Sequence, residues 1–418
     1  MKEITIRNKP TFFINKDFRT ILIKVFFPFK RKEEELAFMS LLPNMLNIVD
    51  EKYPTESEFS LQLQRLFISG CYCSISTLGE EGYVTCNLVV PESSALPKNM
   101  LEEQFEFFSQ MIYHPKHDKD SFCEEEFQRE VDNLRIDIEK FYNDTNSYAM
   151  MRAKEIVDPN GRFSTSIYNH KELIDTVTKE ELYQFYLRTI YHNHPFIYVF
   201  GNVDQKEITS LCNKYLYLDS FKESTVPVEI KNYLPIRNQV SDVVEESHFR
   251  NSVYLSFYKV KDMCEEDEVI LTVVQGLLSS QTSRILNKKL RDENDLVYSA
   301  YAISFNTFGL LCIATFINQK NIEQVREKVE DVLLDLKNEE LIAPYLEMLK
   351  EKNRLSLIRK LDDKWGLFQD SIIKDLGIDL TAEEFYQKLL FVTPKDVSCF
   401  MDRLVLDTKY FLKEGEHE

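Results

Sequence analysis

VTKEEL (residues 177–182) and VTPKDV (residues 392–397) begin two stretches that continue alike. Each leads through an amphipathic helical pattern into an apolar strand, FIYVFGNV at 196–203 in the first and KYFLK near the C-terminus in the second. The two stand 215 residues apart in a chain of 418. Working outward, each is preceded by a hairpin pattern. CYCSISTLGEEGYVTCNLVV, 71–90, alternates on both sides of a polar GEEG, and VYSAYAISFN with LLCIATFIN repeats the arrangement about 226 residues later. Long amphipathic helices follow both hairpins. The same elements in the same order twice imply an α+β fold of two tandem homologous domains, each a mixed or antiparallel β-sheet packed with α-helices.

The remaining elements fit that frame. A strand, FRTILIKVFFPF at 18–29, precedes a helix at 33–48 whose first turn carries KEEE. A second helix at 56–68 has Thr55 and Glu58 in capping-box spacing. Helices are expected at 99–113, 121–143 and 145–156. In the second half a strand at 252–259 and a helix at 267–278 lead to the hairpin, and helices cover most of 321–402. FKESTVPVEIKNYLPIRNQ, 221–239, has two prolines and no period, which marks a linker. The expected division is therefore 1–220, linker 221–239, and 240–418.

Composition narrows the function classes. The chain is 44% hydrophobic and 29% charged, with material for substantial cores. A net charge of −18 argues against nucleic acid as partner, since phosphate recognition needs clustered Lys and Arg. The N-terminus lacks a signal-peptide apolar core and no apolar run reaches membrane-spanning length, so a cytoplasmic location is expected. Eight cysteines include no CxxC pair. Cys71 and Cys73 on an expected strand are read as facing opposite sides, and Cys73, Cys86, Cys312 and Cys399 as buried reduced thiols.

Catalytic motifs are scarce. Seven histidines include no HxxEH or HExxH, and ten glycines supply no phosphate-cradling loop. His114 and His117, beside Asp118 and Asp120, come nearest to a metal pair, but Pro115 between them disfavours a helical presentation. His192 and His194 precede a strand, and His170, His248 and His417 are isolated. Arg291 at the end of SQTSRILNKKLRDEND and Tyr298 at the start of the following strand have donors suited to a peptide carbonyl. Equally, Arg291 can cap its helix C-terminus while Tyr298 packs in the hairpin.

Order and phrases together resemble the insulinase/pitrilysin-like peptidases, whose active members carry an inverted zinc motif, HxxEH, and a third carboxylate ligand on a later helix. MSLLPNMLNIVDEKYPT, 39–55, is similar to the motif-bearing helix and its loop, and FCEEEFQREVDNLRIDIEKFYNDT to the helix of the third ligand. LDTKYFLKEGE is similar to the ending of the YfmF-type bacterial branch that lacks the zinc motif. Matched on these phrases, Ser40 and Asn44 stand at the two histidines, Pro43 at the glutamate and Asp137 at the third ligand. The resemblance implies a half-clamshell subunit with no metal site or catalytic residue of its own. It implies a heterodimer with an HxxEH-bearing chain that holds the zinc, in which Arg291 and Tyr298 hold peptide substrate and this chain completes the chamber. DEND stands where relatives have a glycine-containing turn. Such pairs process peptides, ribosomally made ones among them; a scaffold of the same fold with no peptidase partner is the alternative.

Overall fold

The computed structural model describes residues 2–415 except Ile48, Glu80, Ser93, Ala95, Asn160 and Thr282. The chain starts with β1 (Lys2–Ile6), β2 (Thr11–Ile14), β3 (Thr20–Lys30), α1 (Leu36–Asn47), α2 (Glu56–Arg65), β4 (Gly70–Leu78) and β5 (Glu81–Pro91). It goes on through α3 (Met100–Tyr113), the short pair β6 (His117–Asp118) and β7 (Ser121–Phe122), α4 (Glu124–Asn143) and α5 (Thr145–Val157). Then come α6 (Lys179–Tyr186), β8 (Phe196–Gly201), α7 (Gln205–Leu216) and β9 (Ser224–Val228). The second half has β10 (Ser241–Glu246), β11 (Ser252–Val260), α8 (Asp267–Ser279), α9 (Ile285–Asn287), β12 (Val297–Phe305) and β13 (Leu310–Ile317). It closes with α10 (Ile322–Asp335), α11 (Glu339–Lys360), α12 (Lys364–Leu376), α13 (Ala382–Phe391), α14 (Pro394–Met401) and β14 (Leu404–Lys413).

The duplication is visible in strand order. One five-stranded sheet runs β2-β8-β3-β5-β4 and the other β10-β14-β11-β13-β12, so each reads first, last, second, fourth, third. In both, the first and last strands pair parallel and the remaining neighbours antiparallel. The phrases that revealed the repeat do the same work twice. Thr178 accepts from the N–H of Glu181 at 3.2 Å to start α6, and Thr393 accepts from the N–H of Asp396 at 3.2 Å to start α14. Each satisfies a helix-start donor that has no partner inside the helix.

Contacts divide the chain into two compact units. The first comprises 1–138, 166–230 and 364–378, the second 139–165, 231–363 and 379–418. The contiguous division expected from sequence is therefore corrected: α5 belongs to the second unit and α12 to the first. Periodicity marks a helix's apolar stripe but not which sheet receives it. In the first unit α1 packs on β4 and α3 on β5, while Phe368 and Ile372 of α12 join Leu22, Tyr198 and Phe200 on the opposite sheet face. In the second unit α8 covers one face, and Ala149, Ala153 and Val157 of α5 pack with Leu255, Phe257 and Cys312 on the other.

Other expectations also change. The expected linker contains β9, which pairs antiparallel with β1, because Val226 and Val228 can bury against the first unit's outer core. Cys71 and Cys73 are both buried and share a face, as residues two apart on a pleated strand must. Cys73 and Cys86 stand directly opposite each other on β4 and β5, Cα to Cα 4.2 Å, and form a disulfide instead of two free thiols. Cys312 is a buried free thiol as expected, but Cys399 is exposed on α14.

Candidate functional site

The leucines and Met45 of α1 are buried, which fixes the helix against the unit and leaves its other face outward. On it, the Ser40 hydroxyl donates to the Leu36 carbonyl at 2.9 Å, Pro43 lies inside the helix, and Asn44 is exposed. Proline has no N–H, so the Met39 carbonyl receives no helical bond there. A zinc site needs imidazole, thiolate or carboxylate donors, and a general base must take a proton. A hydroxyl, a ring-closed proline and a carboxamide supply neither. Asp137 is exposed on α4. Among the described residues no three His, Cys, Asp or Glu side chains gather to hold a metal.

The loop after α1 is built by its acids. Asp50 accepts from the N–H groups of Lys52 and Tyr53 at 2.8 and 2.7 Å. Glu51 receives both histidines of the nearest metal-like pair, His117 Nε2 at 3.1 Å and His114 Nδ1 at 3.8 Å. They are therefore partners of one carboxylate, with Asp118 and Asp120 at the short β6–β7 pair. His194 stacks on Phe221 at 4.6 Å, and burial lowers its pKa. His170 pairs with Glu33, His248 lies against Phe249, and His192 against Tyr191. His417 lies outside the described residues.

Arg291 and Tyr298 flank one tight turn. The Asp295 N–H donates to the Arg291 carbonyl and the Leu296 N–H to the Leu290 carbonyl, both at 2.9 Å, while Asn294 donates to the Lys289 carbonyl. Asp295 has φ +50°, so the DEND stretch adopts the left-handed step for which a glycine is commonly used. Tyr298 is the extra residue of a bulge in β12, an edge strand, and is 62% exposed. Such bulges re-aim a side chain. Arg291 is exposed as well, and the carbonyls of this helix end are closed by backbone and Asn294, not by its guanidinium. Neither side chain takes a hydrogen-bond or ion-pair partner among the described residues.

Sequence reading missed a feature that occurs in both units. The Asn47 side chain donates to the Cys73 carbonyl at 2.9 Å and accepts from its N–H at 2.6 Å. Asn287 does the same to Ala300, at 2.7 and 3.0 Å. Each carboxamide occupies one residue of an edge strand as a neighbouring strand would, and so blunts that edge. An asparagine ending the α1 pattern was the available signal in the first case. Nothing comparable marks Asn287 within RILNKKL.

Comparison with known proteins finds likeness in sequence and in fold. Residues 176–353 match the family model described as the peptidase M16 inactive domain. Over 404 residues, 95% of this chain and 93% of the other, the sequence is 22% identical to YmfF of Bacillus subtilis (strain 168), described as a probable inactive metalloprotease. A conserved protein from Enterococcus faecalis V583 has the same fold, with a TM-score of 0.83 at 21% identity and 100% of both chains covered. A protease from Helicobacter pylori superposes with a TM-score of 0.75 at 17% identity over 99% of each chain.

Proposed function

We propose that this chain, a homologue of inactive insulinase-like (M16) proteases, is the non-catalytic subunit of a cytoplasmic heterodimeric zinc peptidase. Water activation then belongs to the HxxEH site of the partner. This chain forms part of the wall of a shared chamber and holds the peptide. Arg291 offers a planar fork of charged donors and Tyr298 a phenolic O–H, so together they can engage successive carbonyl oxygens of an extended substrate. The observation supporting the reading is their state: two exposed, unpartnered donors on either side of a closed turn, in a chain whose motif helix carries no metal donor.

Co-expression with an HxxEH-bearing chain of similar length tests it. The expected result is co-elution as a one-to-one complex that cleaves peptides, with neither chain active alone. Cleavage by the HxxEH chain alone at the rate of the mixture, or failure of the two to associate, rejects the proposal; the second outcome with some other partner retained favours the scaffold alternative.

A further inference from the structure

The first unit contains a cavity of about 380 Å³ that the partner-subunit reading does not use. It lies between α12 and the face of β3, β5 and β4 opposite α1. That volume falls within the range of small-molecule pockets, about 300–1,000 Å³. Register lays the cavity floor out as a grid. Lys24, Asn87 and Tyr72 form one row across β3, β5 and β4, and Phe26, Thr85 and Ser74 form the next. Tyr83 and Ser76 continue it.

Three features of that grid are unsatisfied. Tyr83, Thr85 and Asn87 are 6%, 5% and 2% exposed, and the Tyr83 hydroxyl, Thr85 Oγ1 and Asn87 Oδ1 have no hydrogen-bond partner among the described residues. Buried polar atoms left without partners are costly, and three in line on one strand of one cavity form a cluster. Lys24 is half-buried beside them. Among the described residues its Nζ reaches only Gln369 Oε1, at 3.3 Å, and lies 5.7 Å from each of the Trp365 and Phe368 rings. Burial lowers its pKa, and no acid lines the cavity among the described residues.

The fold does not require this chemistry, because the duplicated sheet dispenses with it. On the matching face of the second unit, Leu255, Ala314 and Tyr301 form one row and Phe257, Cys312 and Ile303 the next, in one apolar cluster with α5 in which Tyr301 and Ile303 are partly buried. The one buried cation farther along that face, Lys259, is paired with Asp407, so the unpaired polar rows mark the first unit.

We infer that this cavity binds the carboxylate end of an N-acylated apolar amino acid, either free or as the C-terminal residue of a peptide. Lys24 receives the carboxylate. The Asn87 carboxamide, which can both donate and accept, takes the N-acyl amide, and the Tyr83 and Thr85 hydroxyls complete the polar contacts. Phe26, Phe196, Ile372 and Leu376 surround the apolar side chain. The inference needs no second subunit, so it stands or falls apart from the heterodimer.

Trp365, the only tryptophan in the chain, reports on the site. The full chain is titrated with N-acetyl-L-phenylalanine, with its C-terminal amide, and with the tetrapeptide Ala-Ala-Ala-Phe, following tryptophan emission. A saturable change is expected with the acids, and the amide binds roughly tenfold more weakly because it forfeits a charge-assisted contact. Lys24→Met removes that preference, and Thr85→Val or Asn87→Leu weakens acid and amide alike. Whichever acid binds more tightly assigns the source of the ligand. Lys24→Met discards an unpaired cation and folds normally, so its melting curve serves as the control. No saturable change with either acid, or undiminished acid binding by folded Lys24→Met, overturns the inference.

Discussion

Lys24 and Lys259 stand on the second strands of their sheets, on matching faces, and the protein handles them in opposite ways. Lys259 is 2% exposed and fully engaged: its Nζ is 3.0 Å from Asp407 and donates to the Pro235 carbonyl at 2.8 Å. Arg237 grips the same carboxylate. Lys24 has no acid within ion-pair reach among the described residues and only a long contact to Gln369. A lysine buried for the sake of the fold is neutralised; one left uncompensated in a cavity points to something supplied from outside. The comparison teaches that the duplication conserved topology and let the buried chemistry diverge.

The strongest way to break it is Asp407→Asn, which leaves the buried Lys259 and the half-buried Arg237 without their anion and is expected to cost about 3–5 kcal/mol in denaturant unfolding. Burial by itself raises the Asp407 pKa, but bonds from Arg237, Lys259 and Thr408 outweigh it and hold the carboxyl below its ordinary range. Its folded pKa thus lies below its unfolded one. The stability it confers is complete above about pH 4 and is lost as pH falls through the folded value. Unfolding curves of wild type and variant should converge in acid; equal stability at neutral pH would contradict the account.

Next in size are Asn47→Ala and Asn287→Ala. Each removes two hydrogen bonds to an edge strand and should cost about 1–3 kcal/mol. Similar losses sharpen the equivalence of the units, and a loss confined to one breaks it. Smaller and of opposite sign, Lys24→Met should stabilise by roughly 0.5–1 kcal/mol, since it replaces a desolvated cation with a side chain that packs. Lower thermal stability would show that Lys24 has a compensating partner. Arg291→Ala and Tyr298→Ala should shift stability by no more than about 0.5 kcal/mol, because both side chains are exposed and make no bonds among the described residues.

What could be read from the sequence was local chemistry repeated. VTKEEL and VTPKDV are legible because Thr178 and Thr393 cap helices with their own neighbours. Ser40, Pro43 and Asn44 on α1 were legible as residue types that bear neither a strong metal donor nor a general base. Helix α7 was overlooked although Asp204 caps it and Ile208, Leu211 and Cys212 follow at helical spacing. Strands β1 and β9 are short and pair across more than two hundred residues, so no local period announces them. The destinations of α5 and α12, the Cys73–Cys86 pairing and the Lys24 grid depend on register and tertiary packing. Lys24 inside an apolar strand, and Thr85 and Asn87 alternating in β5, were the only hints of that grid.

The reading of Arg291 and Tyr298 is tested most directly by peptide turnover of the assembled pair carrying Arg291→Ala and Tyr298→Ala together. With assembly verified by co-elution, kcat/KM is expected to fall by roughly a hundredfold, the scale for losing preorganised donors at a reacting peptide. Undiminished turnover by an intact complex would contradict the substrate-holding role and leave this chain a structural partner only.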